Sequence, residues 1–166
     1  MEAILDIFMS LLKGKLSAEL IVFVVSLFPV LELRGGILAG YALGLELLPA
    51  FIWAYIGNIL PVPFILFLMK TVFNFLKRTI LKKYILKLEE RTMRKSDTIQ
   101  KYGYWGLFIF VAIPLPGTGA WTGTMAATLL ELDIKKSFIA IALGVFTAGI
   151  IMSIFSFGLL SAIGIG

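Results

Sequence analysis

The sequence contains no cysteine and no histidine. Disulfides, thiol chemistry, Cys/His metal sites and histidine acid-base or nucleophile-activating pairs are excluded with them. The lack of cysteine leaves the redox compartment open. Charge is scarce as well: 15% of the 166 residues are Asp, Glu, Lys or Arg, against 60% apolar, and mean hydropathy is +1.00. Soluble domains average about 25% charged and about 45–50% apolar residues, so the excess apolar surface has to face lipid. A water-soluble enzyme is excluded, and no residue is assigned a catalytic role. The start Met1-Glu2-Ala3-Ile4-Leu5-Asp6 lacks the basic region of a cleavable signal peptide and reads as part of the mature protein.

What is present is a set of long runs without charge. A crossing helix needs about 20 apolar residues, which limits the chain to at most four to six crossings in one membrane domain, residues 1–166. Residues 47–69 and 137–166 are uncharged throughout and predict transmembrane helices. Residues 102–130 are uncharged too, but Pro114, Pro116, Gly117 and Gly119 interrupt them. Proline removes an amide donor and glycine weakens a helix, so this segment is expected to break at its middle. Residues 20–45 have the same form, two apolar arms separated by Glu32, Arg34, Gly35 and Gly36. Arms of about a dozen residues reach roughly 18 Å, about half a bilayer. A kinked crossing and a re-entrant hairpin both fit, and either places the broken centre inside protein or against a wet cavity.

Residues 70–101 hold ten of the fifteen Lys and Arg residues and three acids. The positive-inside rule assigns this segment to the cytoplasm. Within it Phe73, Leu76, Ile80, Tyr84 and Leu88 recur at helical spacing among lysines and arginines. The pattern predicts an amphipathic interfacial helix facing anionic lipid headgroups rather than nucleic acid. Ile4, Phe8, Leu11 and Leu12 predict a second surface helix within residues 1–18. Charge counting does not choose between hairpins and crossings. Re-entrant hairpins put Lys135 and Lys136 inside but Lys13 and Lys15 outside, and full crossings exchange the two pairs.

A duplication is visible at an offset of 85 positions, pairing Pro29 with Pro114 and Glu46-Leu47 with Glu131-Leu132. The glycine ladders Gly36, Gly40, Gly44 and Gly119, Gly123, Ala127 correspond at an offset of 83. Residues 19–69 form one repeat and residues 102–166 the other. A unit of one re-entrant hairpin plus one crossing makes an odd number of passages, so its copy starts on the opposite side. The expected fold is an all-α membrane protein of two inverted repeats, each a re-entrant helical hairpin plus a transmembrane helix, with the cytoplasmic amphipathic helix between them. Inverted repeats with discontinuous helices are a recurring transporter architecture.

Glu32 and Arg34 would each cost about 2.5–3.5 kcal/mol at the middle of a membrane helix, so they require a wet cavity, partners or a use. Residues two apart diverge on a regular helix, so a direct pair is expected to need a backbone break near Gly35 and Gly36. Such a pair either exchanges protons and binds cargo or simply holds the hairpin together. The second centre offers hydroxyls from Thr118 and Thr122 and an indole donor from Trp121. Its Gly-rich turn lacks the lysine and spacing of a phosphate loop, which excludes a nucleotide site. Asn58, ahead of a kink expected at Pro61 and Pro63, is either an interhelical hydrogen bond or a binding residue. The candidate site is therefore Glu32, Arg34, Gly35, Gly36 and Asn58 with Pro114, Pro116, Gly117, Thr118, Gly119, Trp121 and Thr122, and no metal.

The segments Phe28-Pro29-Val30-Leu31-Glu32-Leu33-Arg34-Gly35-Gly36-Ile37 and Pro114-Leu115-Pro116-Gly117-Thr118-Gly119-Ala120-Trp121-Thr122-Gly123 resemble the two signature segments of the small multi-drug export protein family of prokaryotic membrane proteins. More distantly, the layout and Lys101-Tyr102-Gly103 are similar to DedA-type membrane proteins, a resemblance that implies paired re-entrant hairpins, proton coupling and movement of lipid phosphates. The expected function is a multi-pass cytoplasmic-membrane transporter exporting a small amphipathic substrate by alternating access, with the proton as coupling ion and no cofactor. A lipid-phosphate translocase and a non-transporting membrane scaffold are the alternatives. Membrane lipids, a small-molecule or lipid substrate and a second copy in a homodimer are the expected partners.

Overall fold

The computed structural model describes residues 16–76, 86–87, 90, 97–115 and 117–160. Its elements are helices α1 (Ala18–Leu27), α2 (Glu32–Ala42), α3 (Leu47–Ile59), α4 (Pro61–Leu76), α5 (Asp97–Ala112), α6 (Ala120–Leu129) and α7 (Ile134–Ser153), the last running into a π-helical segment, Ile154–Leu160. Local chemistry sets the ends. Ser17 caps α1 by accepting the Leu20 amide at 3.4 Å, which fills one of the orphan donors of the first turn. Phe28 ends α1 with an extended backbone (ψ 135°), the conformation that the following Pro29 enforces by steric exclusion.

Two helical stretches are long and apolar enough to cross a membrane, Leu47–Leu68 with 22 residues and Ile134–Gly158 with 25. They overlap the two charge-free runs predicted to cross, 47–69 and 137–166, the second starting earlier, at Ile134, and so including Lys135 and Lys136. The first changes from α3 to α4 at Leu60–Pro61, where the two prolines were expected to disturb it. By contrast α1, α2 and α6 have 10, 11 and 10 residues. Each is about 15 Å long, half of a roughly 30 Å hydrocarbon core. The arm of α5 is comparably short, because Gly103 (φ 58°, ψ −128°) breaks the helix near its start.

The chain divides into two compact units, Met1–Pro61 with Val145–Gly166, and Val62–Gly144. In the first, α1 and α2 form an antiparallel pair with Ser26 against Gly36 and Val22 against Gly40. Helix α3 lies across both: Ala54 touches Gly36, Ala50 touches Gly40, and Gly57 rests on the Phe23 carbonyl and Ser26. Ile21, Val25, Leu31 and Ala39 form the core, with Leu16 and Leu43 packed on it. Phe146 from the later part of α7 stands edge-on to Phe51 and Tyr55, which are themselves stacked.

The second unit repeats these contacts with different side chains. Gly123 of α6 faces Val111 of α5, and Gly144 of α7 rests on the Phe108 carbonyl and Val111. Phe23 and Ser26 thus match Phe108 and Val111 at an offset of 85, while Gly36 and Gly57 match Gly123 and Gly144 at 87. The helix ends agree with the larger offset. Leu45 bonds back to the Gly40 carbonyl after a left-handed Gly44 (φ 74°), and Leu132 bonds back to Ala127 after a left-handed Glu131 (φ 54°). The second turn is therefore two residues longer than the first. The sequence pairing of Glu46-Leu47 with Glu131-Leu132, and of the glycine ladders at 83, is replaced by this register, because packed glycines and left-handed caps fix it. The surface helix expected within residues 1–18 and most of the basic segment 70–101 lie outside the described residues. Phe73 and Leu76 fall in α4, which continues past residue 69.

Candidate functional site

In the first unit the turn comes earlier than the glycines suggested. Residues 28–31 make the reversal, and α2 runs unbroken through Gly35 and Gly36. Gly36 is there for closeness, since a Cβ on it would overlap the Ser26 hydroxyl and crowd Ala54. The break that joins Glu32 to Arg34 is at Glu32 itself, whose φ of 51° is left-handed. Its amide still donates to the Phe28 carbonyl at 2.8 Å, bridging the turn. With Glu32 turned out of register, Arg34 Nη2 reaches Glu32 Oε2 at 3.1 Å. A left-handed non-glycine residue costs on the order of 1–2 kcal/mol, so this pair is held at the expense of local strain.

Glu32 is 3% exposed. Two features stabilise its carboxylate there: the Arg34 guanidinium and the positive N-terminal end of α2, where Glu32 is the first residue. Asn58, on α3 of the same unit, is 2% exposed and its Oδ1 has no hydrogen-bond partner. The interhelical hydrogen bond read from the sequence is thus not made by that oxygen.

In the second unit the predicted residues build a turn. Thr118 Oγ1 lies 2.7 Å from the Ile113 carbonyl and 2.8 Å from the Leu115 carbonyl, and accepts the Leu115 amide at 3.2 Å. Its hydroxyl closes the loop after Pro114. Gly117 (φ 83°) and Gly119 (φ 140°) occupy backbone conformations of that loop that side chains resist. Trp121 and Thr122 follow in the first turn of α6, where Thr122 Oγ1 is 3.4 Å from the Gly119 carbonyl. The indole Nε1 of Trp121 is buried. Pro116 lies outside the described residues.

The repeat register shows how the two sets relate in design. Glu32 corresponds to Gly119, Arg34 to Trp121 and Asn58 to Val145 at the offset of 87. Sequence reading missed Ser26, whose hydroxyl sits on Gly36 while donating to the Val22 carbonyl at 2.8 Å. It also missed the tie in which the Asp133 amide donates to the Tyr104 hydroxyl at 3.1 Å with Lys136 Nζ 5.8 Å from the Tyr104 ring. Spacing alone offered no signal for that tie, since it joins α5 to the residue preceding α7, distant along the chain. Among the described residues, no group of three or more Asp and Glu side chains is placed to hold a metal ion.

Residues 32–151 match the family model described as "Putative small multi-drug export protein". Comparison with curated proteins and with solved structures gives no match, so the likeness to DedA-type proteins rests on sequence pattern alone. The matched segment covers most of the chain and contains both hairpins' return helices, and the chain belongs to the small multi-drug export protein family.

Proposed function

As a member of that family, the chain is, we propose, a multi-pass membrane transporter that exports small amphipathic molecules by alternating access, with Glu32 as the proton-exchanging group. The observation that carries this reading is the buried Glu32 at the N-terminus of a half-length helix, strained and paired with Arg34. Discontinuous helices whose ends present partial charges at mid-membrane are how many transporters hold substrate and coupling ion. Arg34 keeps the carboxylate charged in one state, and movement of α2 against its turn would release it to a proton in the other.

Both hairpins are read as re-entrant. Their arms are half the length of a crossing, and the Tyr104–Asp133 tie holds the entry and exit of the second hairpin together. One hairpin plus one crossing per repeat then inverts the second copy relative to the first. The open end of the second hairpin carries Lys101, Lys135 and Lys136 with Glu131 and Asp133, whereas the matching end of the first carries Glu19 and Glu46 with Lys13 and Lys15 just before them, and Lys101 adjoins the basic segment. That continuity with the basic segment 70–101 and its anionic lipid partners supports a cytoplasmic second end, with Lys13 and Lys15 as exceptions to the rule.

The test is transport in proteoliposomes under an imposed pH gradient. Glu32→Gln is expected to abolish gradient-driven movement of an amphipathic substrate while the protein still melts cooperatively. Undiminished gradient-driven transport by this variant would overturn the assignment of Glu32.

A further inference from the structure

The first unit contains a buried acceptor that its own fold leaves unanswered. Asn58 Oδ1 is buried without a hydrogen-bond partner, a situation that costs about 1–3 kcal/mol when nothing compensates it. The repeat provides an internal control. Gly57 and Gly144 make equivalent contacts, on Phe23 and Ser26 in one unit and on Phe108 and Val111 in the other. The residue after the first is Asn58 and the residue after the second is Val145, each 2% exposed. The scaffold therefore accepts a valine of similar size at this position, and packing gives no reason for an amide.

The surroundings indicate what would answer it. Phe51, Tyr55 and Asn58 are spaced four and three residues apart, so they share one face of α3. Phe51 and Tyr55 are stacked with centroids 6.2 Å apart, and Phe146 meets them edge-on at 5.4 and 6.0 Å. Pro61 and Pro63 have no amide to offer the Gly57 and Ile59 carbonyls. Their missing hydrogen bonds also make α3–α4 weakest beside Asn58, which is where a bend would admit a ligand. Aromatic rings and a neutral amide oxygen together favour an organic cation that also carries N–H donors.

We infer that Asn58 is the recognition point for the N–H of a protonated lipophilic amine, with Phe51, Tyr55 and Phe146 supplying the aromatic surface. This deepens the transporter reading by naming a substrate class, and it rests on that reading. It requires neither a gradient nor Glu32, so binding alone tests it.

The probes are octylammonium and octyltrimethylammonium, two cations of equal charge of which only the first carries N–H. They are titrated onto the full chain in lipid nanodiscs. The wild-type protein is expected to bind octylammonium about tenfold more tightly than its quaternary analogue. Asn58→Val is expected to lose that preference, to bind the quaternary cation unchanged, and to melt at a higher temperature because an unanswered amide has been removed. Equal binding of the two cations by the wild-type protein, a preference retained in Asn58→Val, or failure of that variant to fold would each overturn the inference. Such a failure with gradient-driven transport intact leaves the transporter reading standing. Conversely, undiminished transport by Glu32→Gln removes the role of Glu32 without touching amine binding.

Discussion

At matched places in two similarly packed hairpins, one carries charge and the other carries hydroxyls and an indole. At the offset of 87, Glu32 and Arg34 of the first correspond to Gly119 and Trp121 of the second, and Asn58 corresponds to Val145. The glycine contacts that hold the helices are nevertheless the same, on a phenylalanine carbonyl and on the residue three positions after it. The difference teaches that the scaffold does not require charge. Where the second hairpin uses its polar atoms to close its own turn, through Thr118, the first buries an ion pair that its turn could do without. Polar groups that a scaffold can replace by apolar ones are the groups to which a function is most economically assigned.

The sharpest way to break this comparison is to remove the guanidinium and the indole in parallel. Arg34→Met strands a buried carboxylate, and loss of one partner of a buried pair costs about 3–5 kcal/mol. Trp121→Phe keeps the aromatic bulk and removes only the buried indole N–H, so its stability is expected to stay within about 1 kcal/mol of the wild type. Chemical denaturation of both variants measures the difference. Equal losses would mean that the pair and the indole serve the same structural end.

The shared glycines give the next largest effect. Gly57→Ala drives a methyl onto the Phe23 carbonyl, a backbone atom that cannot rotate away, while Gly144→Ala meets Val111 Cβ at 2.8 Å and the Phe108 carbonyl at 3.0 Å. Both are expected to destabilise, by about 2–3 kcal/mol for Gly57 and about 1–2 kcal/mol for Gly144. A neutral Gly57→Ala would undo the register on which the correspondence of Asn58 and Val145 depends.

The smallest effect concerns the caps. Gly44 and Glu131 hold the same left-handed position after α2 and α6, where glycine is free of the Cβ penalty that glutamate bears. Glu131→Gly should therefore raise stability by about 0.5–1 kcal/mol. A loss on thermal melting would show that the Glu131 side chain contributes more than its backbone strain costs.

Much of the fold was legible because membranes filter sequences by charge. The runs 47–69 and 137–166 were readable as the sources of helices long and apolar enough to cross, and Pro114 and Gly119 as a break, since proline and glycine act locally on the backbone that contains them. Gly35 and Gly36 misled for the opposite reason. Gly36 is required by Ser26 and Ala54, residues distant along the chain, Gly35 lies against Leu31, and the helix continues through both. Glu32 was expected to be functional from its cost in lipid, yet its left-handed backbone, the feature that lets it meet Arg34, has no local signature in a glutamate.

Sequence alone determined that this is a helical chain with two runs long and apolar enough to cross a membrane, two broken segments and one pair of charges set among apolar residues, because hydropathy, helix breaking and charge cost depend on residue type and near neighbours. Tertiary structure decided the repeat register, the position of the first turn, the consumption of Thr118 by its own loop and the isolation of Asn58 Oδ1. Each of these depends on which atoms meet across helices, and a hydrogen bond made or missed over such a distance leaves no trace in spacing.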